Sequence, residues 1–344
     1  MTLCAAWIRH GKGDQGEELV FVTDSRLRGG EAWDSGVKLF DLGREDCLLC
    51  FAGDTRRAYP LILHGLNSPR FNVDWRNPRL DITDVLASLC YMFTELCTTI
   101  DDLYPGASIH EVSAEAEFLF GGWSWRNREF VVWKISYSQD LGGFKSDSWP
   151  VDDPGRIFIF LGDEVDIADQ LLNEELVAAG KRNRGALDME PLKVVSRMSR
   201  DQQYTSIGGA LQVAKVYRSG HSEFFGMLWK SEPYFMGRRL NLYDAPPMRY
   251  LDPDTAQFVD PLPQHFADLD AHDFGDEKEF VRQCYDATAQ LKKDLSDAHR
   301  ERLQRIFRDK AYRDFLRSRD LAEQQAVSNN EAGVITSPED VRET

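Results

Sequence analysis

Long apolar runs, a secretory leader and a dense set of cysteines are all missing from this sequence. No stretch approaches the roughly 18 apolar residues that a membrane-spanning helix needs. The first residues lack a basic segment followed by an apolar one, so we expect a cytoplasmic protein with no membrane partner. Six cysteines in 344 residues do not make a disulfide framework. The formal net charge of −16 disfavours binding to nucleic acid through bulk electrostatics.

One pair of cysteines, Cys47 and Cys50, matches the C-x-x-C spacing of zinc and redox sites. No second pair of cysteines or histidines accompanies it, as a structural zinc site requires. The pair also lies inside an apolar, strand-like run, where thiols pack as small hydrophobic groups. We therefore favour packing over metal binding or redox chemistry, and we predict neither a metal ion nor a cofactor.

The chain has the composition of a globular protein, with 42% hydrophobic and 28% charged residues. This length allows one large domain or two medium-sized ones. The first 53 residues alternate between short β-compatible runs and polar turns, which predicts an antiparallel meander. Its four strands are expected at 2–9, 19–23, 37–42 and 47–52.

After this meander, helical and strand-like patterns alternate. The spacing of apolar residues predicts helices over about 55–66, 81–103, 163–179 and 190–203. Runs of β-branched and aromatic residues predict strands at 116–123, 129–137, 156–161, 210–217 and 223–230. Two antiparallel sheets that face each other, each covered by a helix pair, satisfy this order. The predicted fold is therefore α+β, a four-layer α-β-β-α sandwich over residues 2–230.

The order of predicted strands and helices changes after residue 230, which predicts a region beyond the sandwich. Residues 231–325 combine a hairpin at about 248–259 with a strongly helical segment at about 277–322. We interpret them as a C-terminal extension of the sandwich. The polar residues 326–344 are expected to form a disordered tail.

The residues at the start of the chain suit one particular chemistry. A hydroxyl is a poor nucleophile near neutral pH unless a base removes its proton. A threonine at a chain terminus has its own base, because its α-amine titrates at about pH 8. Methionine before a small residue is commonly removed, so Thr2 can become such a terminus. Thr2 is therefore the candidate nucleophile.

Three further residues fit the needs of that nucleophile. Lys38, on a predicted central strand, would lower the pKa of the terminal amine and orient the hydroxyl. Asp24, which ends the adjacent strand, would hold the lysine in place. Gly53, at a strand-to-helix turn, would donate its amide to the oxyanion of an acyl-transfer intermediate. Each residue alone is most often structural, and only their combination and order indicate a site.

The same run resembles the β-type subunits of the proteasome superfamily of N-terminal nucleophile hydrolases, and among them the bacterial Anbu (ancestral β-subunit) proteasome homologues. The likeness covers about residues 2–230 and is strongest up to about residue 66. It implies the four-layer sandwich, with Thr2 as nucleophile, Asp24 as lysine partner, Lys38 as pKa-setting lysine and Gly53 as oxyanion donor. The matching segments are Met1-Thr2-x-Cys4, Val22-Thr23-Asp24-Ser25-Arg26, Lys38-Leu39-Phe40 and Phe51-Ala52-Gly53 before a helix.

Further along the chain the resemblance is partial. The family places an aspartate and a serine before a glycine pair, where they support the terminal amine. Ser206 fits that serine, with one extra residue before Gly208-Gly209, so the resemblance implies Ser206 as a site residue. Asp201 lies further from the glycines than the pattern expects. The Ser-Gly turn of the family is here Leu161-Gly162-Asp163, without the serine.

These observations predict a threonine-type N-terminal amidohydrolase, a peptidase that acts on peptide or protein substrates as a homo-oligomer. Two alternatives stay open. One is a non-catalytic scaffold of the same fold, favoured by the missing serine and the helical tail, and the other is an amidase acting on a non-peptide amide. Cys4 as nucleophile would require the removal of three residues, and its place on the same strand face as Thr2 suits a pocket-lining role. Three roles stay open for the segment 277–322: packing on its own subunit, bridging neighbouring subunits, or binding a partner such as an unfoldase.

Overall fold

The computed structural model describes residues 2–10, 16–28, 31–71, 73–77, 79–103, 105–149, 157–181, 187–240, 248–259, 262–263 and 265–333. Within them the chain is α+β. The strands are β1 (Leu3–Arg9), β2 (Glu18–Thr23), β3 (Leu27–Arg28), β4 (Ala32–Trp33), β5 (Leu39–Asp41), β6 (Cys47–Gly53), β7 (Ala116–Ser124), β8 (Glu129–Ser138), β9 (Gly143–Ser148), β10 (Phe158–Gly162), β11 (Gln212–Tyr217), β12 (Ser222–Trp229), β13 (Glu232–Phe235), β14 (Arg238–Arg239), β15 (Tyr250–Asp252) and β16 (Gln257–Val259). The helices are α1 (Thr55–Phe71), α2 (Val73–Arg76), α3 (Ile82–Cys97), α4 (Ile109–Ser113), α5 (Val165–Ala178), α6 (Glu190–Arg200), α7 (Lys278–Cys284) and α8 (Asp297–Gly333).

Two sheets carry most of these strands. The first sheet has the order β10-β1-β2-β11-β12-β13-β14, and β15 joins it through β12. The second sheet has the order β5-β6-β7-β8-β9. Among the pairings of the described residues, β12 with β15 is parallel, whereas the neighbours in the second sheet are all antiparallel. The chain therefore folds as α+β, with sheets that are antiparallel apart from the β12–β15 pair.

Alternate side chains of β1 enter two different cores, as the two-residue period of a strand requires. Leu3 and Trp7 pack in a core that includes side chains of α5 and α6. Cys4 and Ala6 pack in another core that also contains Leu48 of the second sheet. We call the latter the shared core, because it draws side chains from both sheets.

The second sheet has a further core with α1 and α3. Helix α3 begins after Asp81, whose carboxylate accepts a hydrogen bond from the backbone N–H of Thr83 at 3.0 Å and so caps the first turn. Apolar positions three and four residues apart then face the sheet. Phe93 of α3, for example, lies with its ring centroid 4.9 Å from that of Phe118.

The structure differs from the predicted pattern in several places. The first 53 residues do not form one meander, because β1 and β2 pair in the first sheet whereas β5 and β6 pair in the second. Strand β9 was not predicted, because its last four residues are polar and half of the strand is exposed, so that it lacks a strand-like pattern. Strands β13 and β15 continue the first sheet, although the sequence analysis assigned them to the extension. Residues 326–333, predicted to belong to the tail, continue α8, and residues 334–344 lie outside the described residues.

The chain divides into two compact units, one of residues 1–239 and 248–259 and one of residues 240–247 and 260–344. The second unit has a core of its own, to which α7 contributes Val281 and α8 contributes Leu303 and Phe307. Helix α8 is 37 residues long but too polar to span a bilayer. None of the helices in the described ranges could cross a membrane.

Candidate active site

Three side chains predicted from the sequence meet in the interior of the first unit. The Nζ atom of Lys38 lies 2.6 Å from Oγ1 of Thr2 and 2.9 Å from Oδ1 of Asp24. All three residues have a relative exposure of 0%. We call Thr2, Asp24 and Lys38 the buried triad. A cation that donates to a hydroxyl stabilises the deprotonated oxygen, so this arrangement favours nucleophilic use of Thr2.

Asp24 is fixed by four donors. Its Oδ1 atom accepts hydrogen bonds from Lys38 Nζ and, at 3.2 Å, from the backbone N–H of Leu3. Its Oδ2 atom accepts from the backbone N–H groups of Arg26 and Gly208, both at 3.0 Å. Two donors on each oxygen suit an ionised carboxylate, which only accepts. The orientation of Asp24 toward Lys38 is therefore set by the backbone of three separate segments.

The register of the first sheet brings these residues to one edge. Cys4 of β1 lies opposite Thr23 of β2, so Thr2, before β1, and Asp24, after β2, emerge side by side. Gln212, the first residue of β11, also lies opposite Thr23. Three strand ends therefore converge where the triad is formed.

Gln212, which the sequence analysis missed, fixes the backbone that carries Lys38. Its Oε1 atom accepts hydrogen bonds from the N–H groups of Lys38 at 3.0 Å and Leu39 at 3.2 Å, and its Nε2 atom donates to the carbonyl of Gly36 at 2.6 Å. Residues 36–38 precede β5 and lie outside the ladder. The amide side chain supplies hydrogen bonds that a neighbouring strand would otherwise provide.

Replacing Gln212 by leucine is expected to destabilise the fold and to displace Lys38. The change leaves two backbone N–H groups and one carbonyl buried without their present partner, at a cost of about 1 to 3 kcal/mol for each group left unsatisfied. Chemical denaturation would measure the loss. The matched control is Gln203→Leu, because Gln203 is exposed and its side-chain amide donates to nearby Asp201. An equal loss in both variants would contradict the role of Gln212.

The turn after β10 lies directly against Thr2. Gly162 has φ +117°, and a Cβ atom placed on it would lie 1.9 Å from the carbonyl oxygen of Thr2, so only glycine fits here. The next residue, Asp163, donates its backbone N–H to the Thr2 carbonyl at 2.7 Å and accepts at Oδ2 from the Thr2 nitrogen at 3.2 Å. The resemblance marks this turn by its missing serine, but Asp163 is not among the site residues predicted from the sequence. An acidic residue directly after the glycine was the available signal.

Gly53 ends β6 near the same place. It has φ +104°, and a Cβ atom there would lie 2.0 Å from the carbonyl oxygen of Glu115, so the strand-to-helix turn requires glycine. The preceding residue, Ala52, has its Cβ atom 3.3 Å from the Cβ position of Gly162. The end of β6 therefore approaches the turn that contacts Thr2. The role of Gly53 as an oxyanion donor stays a prediction.

The loop after α6 reaches the triad through its backbone. Gly208 provides the N–H group that binds Asp24, and Ser206 is half-buried two residues earlier. The role of Ser206 beside the Thr2 amine stays a prediction. Asp201 is exposed, and its carboxylate accepts hydrogen bonds from Gln203.

The C-x-x-C cysteines face opposite sides of β6. Cys47 packs in the core with α1 and α3, whereas Cys50 packs in the shared core, so the two thiols do not converge on one ion. Burial raises the pKa of both thiols. Cys4 is fully buried, and its Sγ atom donates to the carbonyl of Phe51 at 3.2 Å. No disulfide joins the six cysteines, all of which are described, and no cluster of three or more potential metal ligands occurs in the part of the chain that the structure describes.

Comparisons with known proteins leave the family open. No protein-family model matches the sequence, and a search of curated proteins finds no match. Among solved structures, the chain is similar to one described as an Anbu (Gly-1) mutant from Hyphomicrobium sp. strain MC1. The sequence identity is 14% and the TM-score 0.42, over 65% of this chain and 87% of that chain. A similarity of this degree by itself establishes neither the family nor the function.

Proposed function

We propose that this chain is a threonine-type N-terminal amidohydrolase of the proteasome β-subunit kind, acting as a peptidase. The observation that carries the proposal is the contact of the Lys38 ammonium with both the Thr2 hydroxyl and the Asp24 carboxylate, at 2.6 and 2.9 Å, in full burial. A buried lysine costs free energy unless it is paired. Pairing it with one carboxylate and directing it at a terminal hydroxyl suits a nucleophile better than it suits a stable core.

The arrangement of the cores supports a matching fold. One core is shared by the two sheets, and each sheet has another core with its own helix pair. Helices α5 and α6 contribute to the one, and α1 and α3 to the other. We propose that these layers form a four-layer α-β-β-α sandwich, with Thr2 at one end of the shared core.

The proposed reaction uses the α-amine of Thr2 as base. The amine takes the proton of the Thr2 hydroxyl while Oγ1 forms a bond to the carbonyl carbon of the substrate amide. Lys38 stabilises the developing negative charge on Oγ1, and the Gly53 amide is proposed to donate to the carbonyl oxygen as it becomes an oxyanion. The protonated amine then returns its proton to the leaving nitrogen as the C–N bond breaks. Water hydrolyses the resulting ester by the same steps.

This reaction requires an unblocked amine at Thr2. Whatever residues precede it, the bond on the N-terminal side of Thr2 must be cleaved first. Met1 lies outside the described residues, so mass spectrometry of the purified protein is the direct measurement. A mature chain that begins at Thr2 is expected, and a chain that retains Met1 would contradict the mechanism.

Covalent labelling tests the nucleophile itself. A peptide epoxyketone reacts with a hydroxyl and an amine of one residue, so we expect a single adduct that mass spectrometry maps to Thr2. The Thr2→Ala variant serves as the matched control and should remain unlabelled. An adduct elsewhere, or none on a chain that begins at Thr2, would favour the non-catalytic scaffold.

A further inference from the structure

We propose that Asp163 is the carboxylate partner of the Thr2 α-amine and sets the pH range in which that amine acts as a base. The proposal deepens the proposed function, since it rests on Thr2 becoming the chain terminus. It starts from the pair of hydrogen bonds between the two residues. The Thr2 nitrogen lies 3.2 Å from Asp163 Oδ2, and the Asp163 N–H donates to the Thr2 carbonyl at 2.7 Å.

The backbone around Asp163 is built to hold this contact. Gly162 has φ +117° and Glu164 has φ +56°, so two residues with left-handed backbone flank Asp163. For glutamate this conformation is costly and persists only where the surroundings impose it. The β1–β10 pairing places Leu3 opposite Gly162, which fixes the turn beside Thr2. Helix α5 starts directly afterwards at Val165 and anchors the other end of the turn.

Among the described residues, the charged side chains of Lys38, Asp24 and Asp163 lie close to Thr2. Lys38 contacts Thr2 Oγ1, Asp24 contacts Lys38, and Asp163 contacts the Thr2 nitrogen. The lysine disfavours a positive charge on the nearby amine, whereas the carboxylate favours it. Asp24 is already engaged by Lys38 and three backbone N–H groups. Asp163, by contrast, has its carboxylate in direct contact with the Thr2 nitrogen, which becomes the amine when Thr2 is the terminus.

This position suits the first step of the reaction. When the amine takes the proton from Oγ1, an ammonium group forms next to Asp163. The Asp163 carboxylate stabilises that ammonium through its opposite charge, and the proposed step transfers no proton to it. A neutral serine in this turn would supply a hydrogen bond but no such stabilisation. We infer that an aspartate here makes the amine a stronger base than a serine would.

The direct test titrates the amine without relying on activity. The full chain is prepared with an N-terminal fusion that a protease removes, so that Thr2 is the first residue. Its amine is then acetylated with acetic anhydride at a series of pH values, and the modified N-terminal peptide is quantified by mass spectrometry. The variants are Asp163→Asn, which removes the charge, and Asp163→Glu, which keeps it. The control is Glu164→Gln, which removes the neighbouring exposed carboxylate.

The sign of the expected shift follows from the charge. Removing a carboxylate that favours the ammonium form lowers the pKa of the amine, by about 1 pH unit for a partner at this distance. The reaction profile of Asp163→Asn should therefore move to lower pH. Asp163→Glu should stay closer to the original profile, and Glu164→Gln should match it. An unshifted profile in Asp163→Asn, or an equal shift in Glu164→Gln, overturns the proposal.

A kinetic arm separates this inference from the proposed function. If the amine is the catalytic base, the acid limb of kcat/KM should shift down with the titration, because the amine is then neutral at lower pH. A shifted titration in a chain with no Thr2-dependent hydrolysis supports the Asp163 contact and contradicts the function. Thr2-dependent hydrolysis with an unshifted titration keeps the function and overturns the role of Asp163. Melting temperatures of each variant confirm that the folded protein is compared.

Discussion

Alanine in place of Thr2 is expected to reduce amide hydrolysis by about 10⁴-fold or more, the scale on which removal of a nucleophile acts in hydrolases. The variant loses Oγ1, the atom that Lys38 contacts at 2.6 Å, together with the Cγ2 methyl group. Methionine before alanine is also commonly removed, so the amine and its surroundings are retained. Steady-state hydrolysis of a fluorogenic peptide would measure the loss.

A measurement of folding stability distinguishes the loss of catalysis in Thr2→Ala from a loss of folded protein. Without Oγ1, the buried Lys38 ammonium keeps Asp24 but loses one acceptor, which costs about 1 to 3 kcal/mol. The fold should survive, and the activity should fall far more than the folded fraction does. Thr2→Ser keeps a hydroxyl and is expected to retain activity within about tenfold. Hydrolysis that persists in Thr2→Ala would exclude Thr2 as the nucleophile.

The three residues of the buried triad could be predicted as site residues from the sequence. Thr2, Asp24 and Lys38 lie within the first 38 residues, on segments whose strand pattern and polar turns can be read locally. The antiparallel pairing of β1 with β2 brings Thr2 and Asp24 together, whereas Lys38 precedes β5 of the second sheet, and its approach to them cannot be read from the order of neighbouring strands. The resemblance adds the roles. The structure brings the three side chains into contact, and the roles themselves stay a prediction.

The residues that support the triad could not be predicted from the local sequence in this way. Asp163 lies 161 positions from Thr2, and Gln212 lies 174 positions from Lys38. Their contacts depend on β10 lying beside β1 and on β11 lying beside β2. Strand order of this kind cannot be read from local periodicity. A glutamine at the start of an apolar strand also looks like an ordinary strand end.

Lys38→Met is expected to reduce activity by at least about 10²-fold, the lower range for a group that assists proton transfer, and to destabilise the fold. Methionine keeps much of the volume and removes the charge. Asp24 then keeps three backbone N–H donors but loses its cationic partner at 0% exposure, and breaking a buried ion pair in this way costs about 3 to 5 kcal/mol. Urea unfolding would measure the change. Lys145→Met is the matched control, because Lys145 pairs with Asp147 at the surface and such pairs contribute about 0 to 1 kcal/mol.

A second substitution separates the structural from the chemical part of Lys38. In the variant that combines Lys38→Met with Asp24→Asn, no buried charge is left without a partner, and the asparagine oxygen can still accept from a backbone N–H group. The pair should therefore be more stable than Lys38→Met alone, with a coupling free energy of about 1 to 3 kcal/mol. Activity should stay lost, because the cation beside the Thr2 hydroxyl is still absent. Recovery of activity together with stability would mean that Lys38 serves the fold alone and that the hydroxyl is activated by other groups.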